Sequence, residues 1–147
     1  MRVGFLLSTA AAAFAAGTTF AVAAPFDGKW EIDLRTPQEI RARAECGFAG
    51  FDLVQRENKI SGSHWFYTTG CGRMNEGGDE TVVGEVHGRT ATLTVTSARN
   101  GAVFLGRARL EGASLRWQVV KEIKPGEPEG DSPLVLDHGL LRKVKEK

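Results

Sequence analysis

Three histidines are the side chains of this sequence best suited to acid–base or metal chemistry near neutral pH. His64, His87 and His138 are far apart in the chain. None of them accompanies a serine or cysteine motif of the kind that forms a nucleophilic triad. His64 falls on the apolar face of a predicted strand, where a hydrogen-bonded core histidine is more common than a ligand. We therefore expect His64 in the core and predict that the protein is not an enzyme and needs no cofactor.

A glycine-rich segment contains side chains that could bind a metal ion. Asn75, Glu76, Asp79 and Glu80 carry oxygens of the kind that bind calcium. Their spacing fits no standard calcium-binding loop. A solvated acidic loop is the simpler interpretation, so the sequence predicts no metal site.

The two cysteines, Cys46 and Cys71, favour a disulfide. The N-terminal pattern described below predicts export to an oxidising compartment, and an even number of cysteines there is typical of disulfide pairing. A predicted hairpin with its tip at Glu57–Asn58 places the two cysteines opposite each other, beyond its open end. Closing a loop of about 25 residues would contribute roughly 3 to 4 kcal/mol on the loop-entropy model. A metal or redox pair is the alternative, which the lack of a neighbouring Cys or His disfavours.

The N-terminus has the pattern of a secretory signal peptide. Arg2 precedes an uncharged run from Val3 to Phe20, and a small-x-small site ends at Ala23. We predict that residues 1–23 are removed, because cleavage one residue later would put Pro25 just past the scissile bond. The alternative is an uncleaved membrane anchor. The prediction is a single domain over residues 24–147, in the periplasm or secreted, with no stable membrane anchor after cleavage.

The charge balance excludes a nucleic-acid-binding surface. Removing Arg2 from the 19 Lys and Arg residues leaves 18, equal to the 18 Asp and Glu residues. A mature chain without net charge has no electrostatic footprint for nucleic acid. Partners are therefore expected among proteins or small molecules.

The stretch from Glu80 to Ile123 predicts consecutive antiparallel strands. Thr90 to Ser97 alternates strictly between small or apolar residues and threonine, which is typical of a half-buried strand. Asn100–Gly101 predicts a two-residue type I′ turn. The return strand is then expected from Ala102 to Leu110.

The flanking regions predict further strands and one helix. Thr36, Pro37 and Glu39 form a capping box with proline at the first helical position. We expect this short helix to act as a lid or plug at one barrel end. Strands are predicted at Phe26–Leu34, Phe48–Arg56, Lys59–Thr68, Leu134–Leu136 and Leu140–Val144.

Three glycines suggest how the strands curve into a barrel. Gly62, Gly84 and Gly106 recur every 22 residues on the predicted inner face of alternate strands. Such glycines permit sharp bends, although duplication of a strand pair would give the same spacing. The predicted fold class is all-β: a single antiparallel up-and-down barrel of about eight strands, with one short helix after the first strand.

Gly28-Lys29-Trp30 resembles the G-x-W start of calycin-type barrels, which include lipocalins, avidins and periplasmic inhibitors of metalloproteases. In those families the tryptophan closes one barrel end, and an arginine of the last strand packs across its ring. The resemblance implies that Trp30 and Arg142 close the barrel here. The mature chain is also similar to small exported proteobacterial proteins of unknown function, which brings no activity with it.

Some large side chains are predicted to face outward. Trp65 and Tyr67 lie on the strand face opposite Ile60 and Phe66, and Leu105 is also expected outside. Exposed aromatic residues with apolar neighbours are typical of a partner surface. The alternative is that the helix or a long loop covers them.

The predicted inner positions favour a partner at the outer surface. They carry large side chains, which fill a barrel of this size: Trp30, Phe51, Leu53, Phe66, Leu93, Phe104 and Trp117. We therefore expect an exported binding module for a small ligand or a protein partner. The alternatives are a structural or stress-related envelope protein and a protein similar to the protease inhibitors.

Overall fold

A computed structural model describes residues 12–18 and 23–147 of the chain. Of the predicted signal peptide, residues 1–11 and 19–22 lie outside the described residues. No helix in the described part is long and apolar enough to cross a membrane.

The described chain forms one antiparallel sheet that closes on itself. The strands are β1 (Gly28–Asp33), β2 (Phe48–Arg56), β3 (Lys59–Tyr67), β4 (Met74–Asn75), β5 (Val82–His87), β6 (Thr90–Thr96), β7 (Val103–Glu111), β8 (Ser114–Lys124) and β9 (His138–Lys143). Around the sheet they follow the order β2-β1-β9-β8-β7-β6-β5-β3-β4, and β2 also pairs with β3. This extra pairing closes the eight longer strands into a barrel, and the two-residue strand β4 adds to β3. The predicted fold class is confirmed.

The hairpin of β2 and β3 has the predicted register. Arg56 faces Lys59 at its tip and Phe48 faces Tyr67 at its open end. Beyond that end, the sulfur atoms of Cys46 and Cys71 are bonded at 2.04 Å, which confirms the predicted disulfide. We call this the upper end of the barrel.

The connection between β6 and β7 differs from the prediction. The turn is longer than two residues, since the N–H of Ser97 donates to the carbonyl of Ala102. Gly101 has a φ of +76°, whereas Asn100 is not in the left-handed region that a type I′ turn requires. The Asn100 side chain instead donates to the Asp131 carbonyl and accepts from the N–H of Ala102.

The barrel interior is filled by side chains. Its largest fully buried residues are mostly aromatic or branched, including Trp117, Phe51, Leu53, Leu93, Leu115 and Leu141. The Trp117 indole lies directly against Gly106, where an added Cβ would overlap the ring. The predicted inner glycine at position 106 therefore makes room for a large side chain from the neighbouring strand.

Residues 133–136, which we call the end segment, enter the upper end of the barrel. Leu134 and Leu136 are buried, but the predicted strand Leu134–Leu136 does not form. Its backbone is held mainly by side chains of the barrel: Ser97 Oγ donates to the Pro133 carbonyl, Asn75 Nδ2 to the Leu134 carbonyl, and Trp117 Nε1 to the Leu136 carbonyl. The end segment therefore occupies the position that we predicted for the helix.

The helix α1 (Pro37–Arg41) has the predicted capping box. Thr36 and Glu39 each accept a hydrogen bond from the other's backbone N–H. None of its residues is buried, and Ile40 is 48% exposed. The prediction that this helix plugs the barrel is wrong, because a five-residue helix without a buried face has nothing to insert.

Gln55 of β2 forms hydrogen bonds to Phe26 and Asp27, just before β1. This contact lies in the part of the barrel opposite the upper end, which we call the lower end. Gln55 Oε1 accepts from the N–H of the fully buried Phe26 at 3.1 Å, and the Gln55 backbone N–H donates to Asp27 Oδ1. The Phe26 carbonyl accepts from Trp30 Nε1 at 2.9 Å. These bonds fix the chain just before β1.

The first and last strands meet, as predicted. Trp30 faces Lys143, and Glu31 faces Arg142. The cation above the Trp30 ring is Lys143, whose Nζ lies 5.2 Å from the ring centroid. The prediction that Arg142 packs on Trp30 is wrong, because successive side chains of a strand point to opposite faces. Arg142 shares the outer face with Glu31.

Candidate functional site

The structure brings together two of the three residues predicted to form a partner surface. Trp65 and Tyr67 lie on the outer face of β3, opposite Gly50 and Phe48 of β2. Leu105 is also on the outer face, but it lies on β7, which β6 and β5 separate from β3. Leu105 therefore belongs to another side of the barrel, because strand order decides which outer residues are neighbours.

Trp65 and Tyr67 line a groove that we call the outer groove, with a volume of about 440 Å³. It runs across the outer face of β1, β2 and β3. Its lining residues are aromatic or polar: Lys29, Glu31, Phe48, Asp52, Ser63, Trp65, Tyr67 and Glu76.

The floor of the outer groove is formed by Trp65 lying across Gly50. A Cβ at position 50 would overlap the indole, so only glycine lets the ring lie this close to β2. The side chain is consequently only 9% exposed. Lys29 Nζ lies 5.1 Å from the centroid of the Trp65 ring, within the range of a cation–π contact.

The Tyr67 and Phe48 rings form one wall of the outer groove. Their centroids are 5.0 Å apart and the planes are inclined by 38°. Both side chains are half-buried. Such a pair offers an apolar contact surface with a hydroxyl group at its edge.

The charges of the outer groove are unequal. Lys29 is its single base, against the carboxylates of Glu31, Asp52 and Glu76. In the described part of the chain none of these four groups takes part in a salt bridge. The groove therefore presents an excess of negative charge beside aromatic rings.

His64 is a core residue, as expected. It is fully buried, its Nδ1 lies 2.7 Å from the Gly50 carbonyl, and its Nε2 accepts from the N–H of Leu136 at 3.1 Å. The ring packs on Phe51 with centroids 4.6 Å apart. Burial lowers the pKa of His64 to about 4, although the hydrogen bond to Gly50 opposes this shift. The histidine is thus neutral at pH 7 and holds the end segment.

The other two histidines and Glu111 lie in surface pairs. His87 lies 3.8 Å from Glu85 and His138 lies 3.0 Å from Asp137. Hydrogen bonds from Arg116 and Arg109 lower the pKa of Glu111 to about 2. Within residues 12–18 and 23–147, no three His, Cys, Asp or Glu side chains come together as a metal site requires.

The sequence pattern did not assign seven contributors to the outer groove: Lys29, Glu31, Phe48, Asp52, Ser63, Glu76 and, beneath Trp65, Gly50. The period-two pattern places the first three on an outer face, and the β2–β3 register puts Gly50 under Trp65. The pairing of β1 with β2 was the absent information, since no tight turn joins these strands.

The chain matches no known family model, no curated protein and no solved structure. The fold and the outer groove therefore carry the functional argument.

Proposed function

We propose that this protein is an exported binding module that holds a protein partner at its outer groove. The filled interior is the observation that carries this proposal. Trp117, Phe51 and His64 occupy the barrel centre, and the end segment enters its upper end. A barrel packed in this way offers a ligand its outer surface, and the aromatic outer groove is suited to a protein contact.

The disulfide between Cys46 and Cys71 is consistent with an oxidising compartment. Export to the periplasm or to the outside is part of the proposal. Intact mass of the exported protein is expected to correspond to a chain that starts at Ala24. An uncut chain in the membrane fraction would contradict it.

Similarity to calycin-type barrels, and to the protease inhibitors among them, is a second candidate. Its support is the Gly28-x-Trp30 start and a last-strand cation, Lys143, over the Trp30 ring, whereas the arginine that the resemblance implied there, Arg142, lies on the outer face. An inhibitor of this kind would slow a secreted metalloprotease at a stoichiometric concentration. Absence of inhibition over a panel of such proteases would remove this candidate.

Site-specific photocrosslinking in intact cells tests the binding module directly. A benzophenone amino acid replaces Tyr67 in one variant and Leu105 in a matched control, since both side chains are outward and half-buried. We expect a discrete crosslinked partner from position 67 and none from position 105. The purified partner should then bind the Tyr67→Ser protein less tightly than the wild type.

Equal crosslinking from both positions would contradict a site at the outer groove. No crosslink from either position would favour the alternative of a structural envelope protein.

A further inference from the structure

Lys29 shows which chemistry the outer groove accommodates. Its ammonium group lies over the Trp65 ring, although carboxylates of the same groove are available for ion pairs. The indole face is the strongest aromatic site for a cation. Lys29 thus occupies a cation site on the indole face and forms no salt bridge there.

Three carboxylates surround that site. Glu31 follows Lys29 by two residues on β1, so both side chains point outward on the same strand. Asp52 lies directly opposite Lys29 on β2, and Glu76 follows β4 at the other side of the groove. Among the lining residues the single lysine leaves an excess of two negative charges, and Arg142, which faces Glu31 from β9, lies outside the lining.

From this arrangement we propose that the outer groove receives a lysine or arginine side chain of the protein partner. The incoming cation takes the place of Lys29 over Trp65 and pairs with Glu31 and Asp52. Lys29 has a long flexible stem and swings outward. This inference rests on the proposed function and specifies the residue type by which the partner is recognised.

The geometry favours a basic side chain over other ligands. Glu31, Asp52 and Glu76 repel phosphates and acidic peptides. Arginine stacks on aromatic rings and pairs with carboxylates in a planar fork. The adjoining wall of Tyr67 and Phe48 gives the stem and its neighbours an apolar contact.

The test uses the mature chain labelled with ¹⁵N and three short peptides. Acetyl-Gly-Arg-Gly-amide and acetyl-Gly-Lys-Gly-amide are the probes, and the peptide with citrulline is the neutral control for arginine. We expect the indole N–H resonance of Trp65 to shift saturably with the two basic peptides. The citrulline peptide should leave it unchanged.

Two variants locate the effect. Lys29→Ala uncovers the indole, and we expect affinity for the arginine peptide to rise roughly 3- to 10-fold. Lys121→Ala is the matched control, because it removes the same charge from an exposed position outside the groove. Its affinity should change less than about 2-fold.

The double variant Glu31→Gln and Asp52→Asn keeps the shapes of both side chains and removes their charges. We expect its affinity for the arginine peptide to fall roughly 5- to 20-fold. Its amide spectrum, compared with that of the wild type, shows that the barrel is folded. This variant avoids truncation of Trp65, which is packed on Gly50.

Binding of the citrulline peptide, or equal gains from Lys29→Ala and Lys121→Ala, would overturn the inference. A partner crosslinked at position 67 whose affinity is unaffected by the double variant would overturn it and leave the proposed function standing. No crosslinked partner at position 67 would instead count against the proposed function itself.

Discussion

Acidification should release the end segment through His64. The Nδ1 of this ring donates to the Gly50 carbonyl, so its Nε2 must be unprotonated to accept from the N–H of Leu136. A second proton would place two donors face to face inside the barrel. Among the described residues no acceptor is bonded to Nε2, and an imidazolium would be buried without a counter-charge.

The size and sign of this effect follow from the two pKa values. Burial lowers the pKa of His64 from 6.5 to about 4, so the unfolded chain binds the proton more readily than the folded protein. The contribution of His64 to the free energy of unfolding therefore rises with pH between about 4 and 6.5 and is constant above that window. The full difference is about 3 kcal/mol, and roughly 2 kcal/mol is lost at pH 5.

Urea unfolding at pH 7.5 and pH 5.0, at constant ionic strength, measures this loss. The test variant is His64→Gln, whose amide oxygen can accept from Leu136 but does not titrate. We expect this variant to lose roughly 1 to 3 kcal/mol of unfolding free energy at pH 7.5, because the buried hydrogen bond from His64 Nδ1 to the Gly50 carbonyl is lost. The difference in unfolding free energy between wild type and variant should be about 2 kcal/mol smaller at pH 5.0, because only the wild type is destabilised by protonation of His64.

His87→Gln is the matched control, because it removes an exposed histidine. It should retain the pH dependence of the wild type. A gap between wild type and His64→Gln that stays constant from pH 7.5 to pH 5.0 would refute the assignment of the acid sensitivity to His64.

Four further variants test the closure of the fold by urea unfolding. Replacing Cys46 and Cys71 by serine should cost roughly 3 to 4 kcal/mol, and denatured, unreduced wild type should show no free thiol. Trp30→Ala should cost roughly 3 to 5 kcal/mol because it empties a core site. Lys143→Ala should cost about 0.5 to 1 kcal/mol, and Arg142→Ala less. A larger cost for Arg142→Ala would contradict the observed cation–π pair.

Local sequence signals predicted the parts of the fold that depend on neighbouring residues. The capping box at Thr36 and Glu39 formed as expected. The register of β2 and β3 followed from alternation and a single tight turn, and it brought Cys46 to Cys71. In each case the interacting groups are close in sequence or linked by one hairpin.

Distant contacts decided what the sequence did not predict. The type I′ turn predicted at Asn100 does not form, because the Asn100 side chain donates to the Asp131 carbonyl. The end segment is not a strand because polar side chains of the barrel hold its backbone. For Arg142, an offset of one residue along β9 was enough to exchange the inner face for the outer one.

The same distance dependence affected the candidate site. Trp65 and Tyr67 share one strand, and alternation alone placed both outside. Leu105 was grouped with them because a sequence without strand order does not show that β7 lies elsewhere on the barrel. Lys29 joined the site through the pairing of β1 with β2, which a long connection hides.

Pairing between β1 and β9 also constrains how the protein folds. Glu31 and Arg142 are cross-strand partners, although nearly the whole sequence of the domain lies between them. The entropy cost of closing this loop is therefore larger than the cost of closing any hairpin of the barrel. Until β9 is available, β1 has β2 as a partner but its other edge stays open. The hydrophobic interior is sealed only when His138–Lys143 emerges. Barrel closure therefore requires β9, in whatever order the other hairpins form.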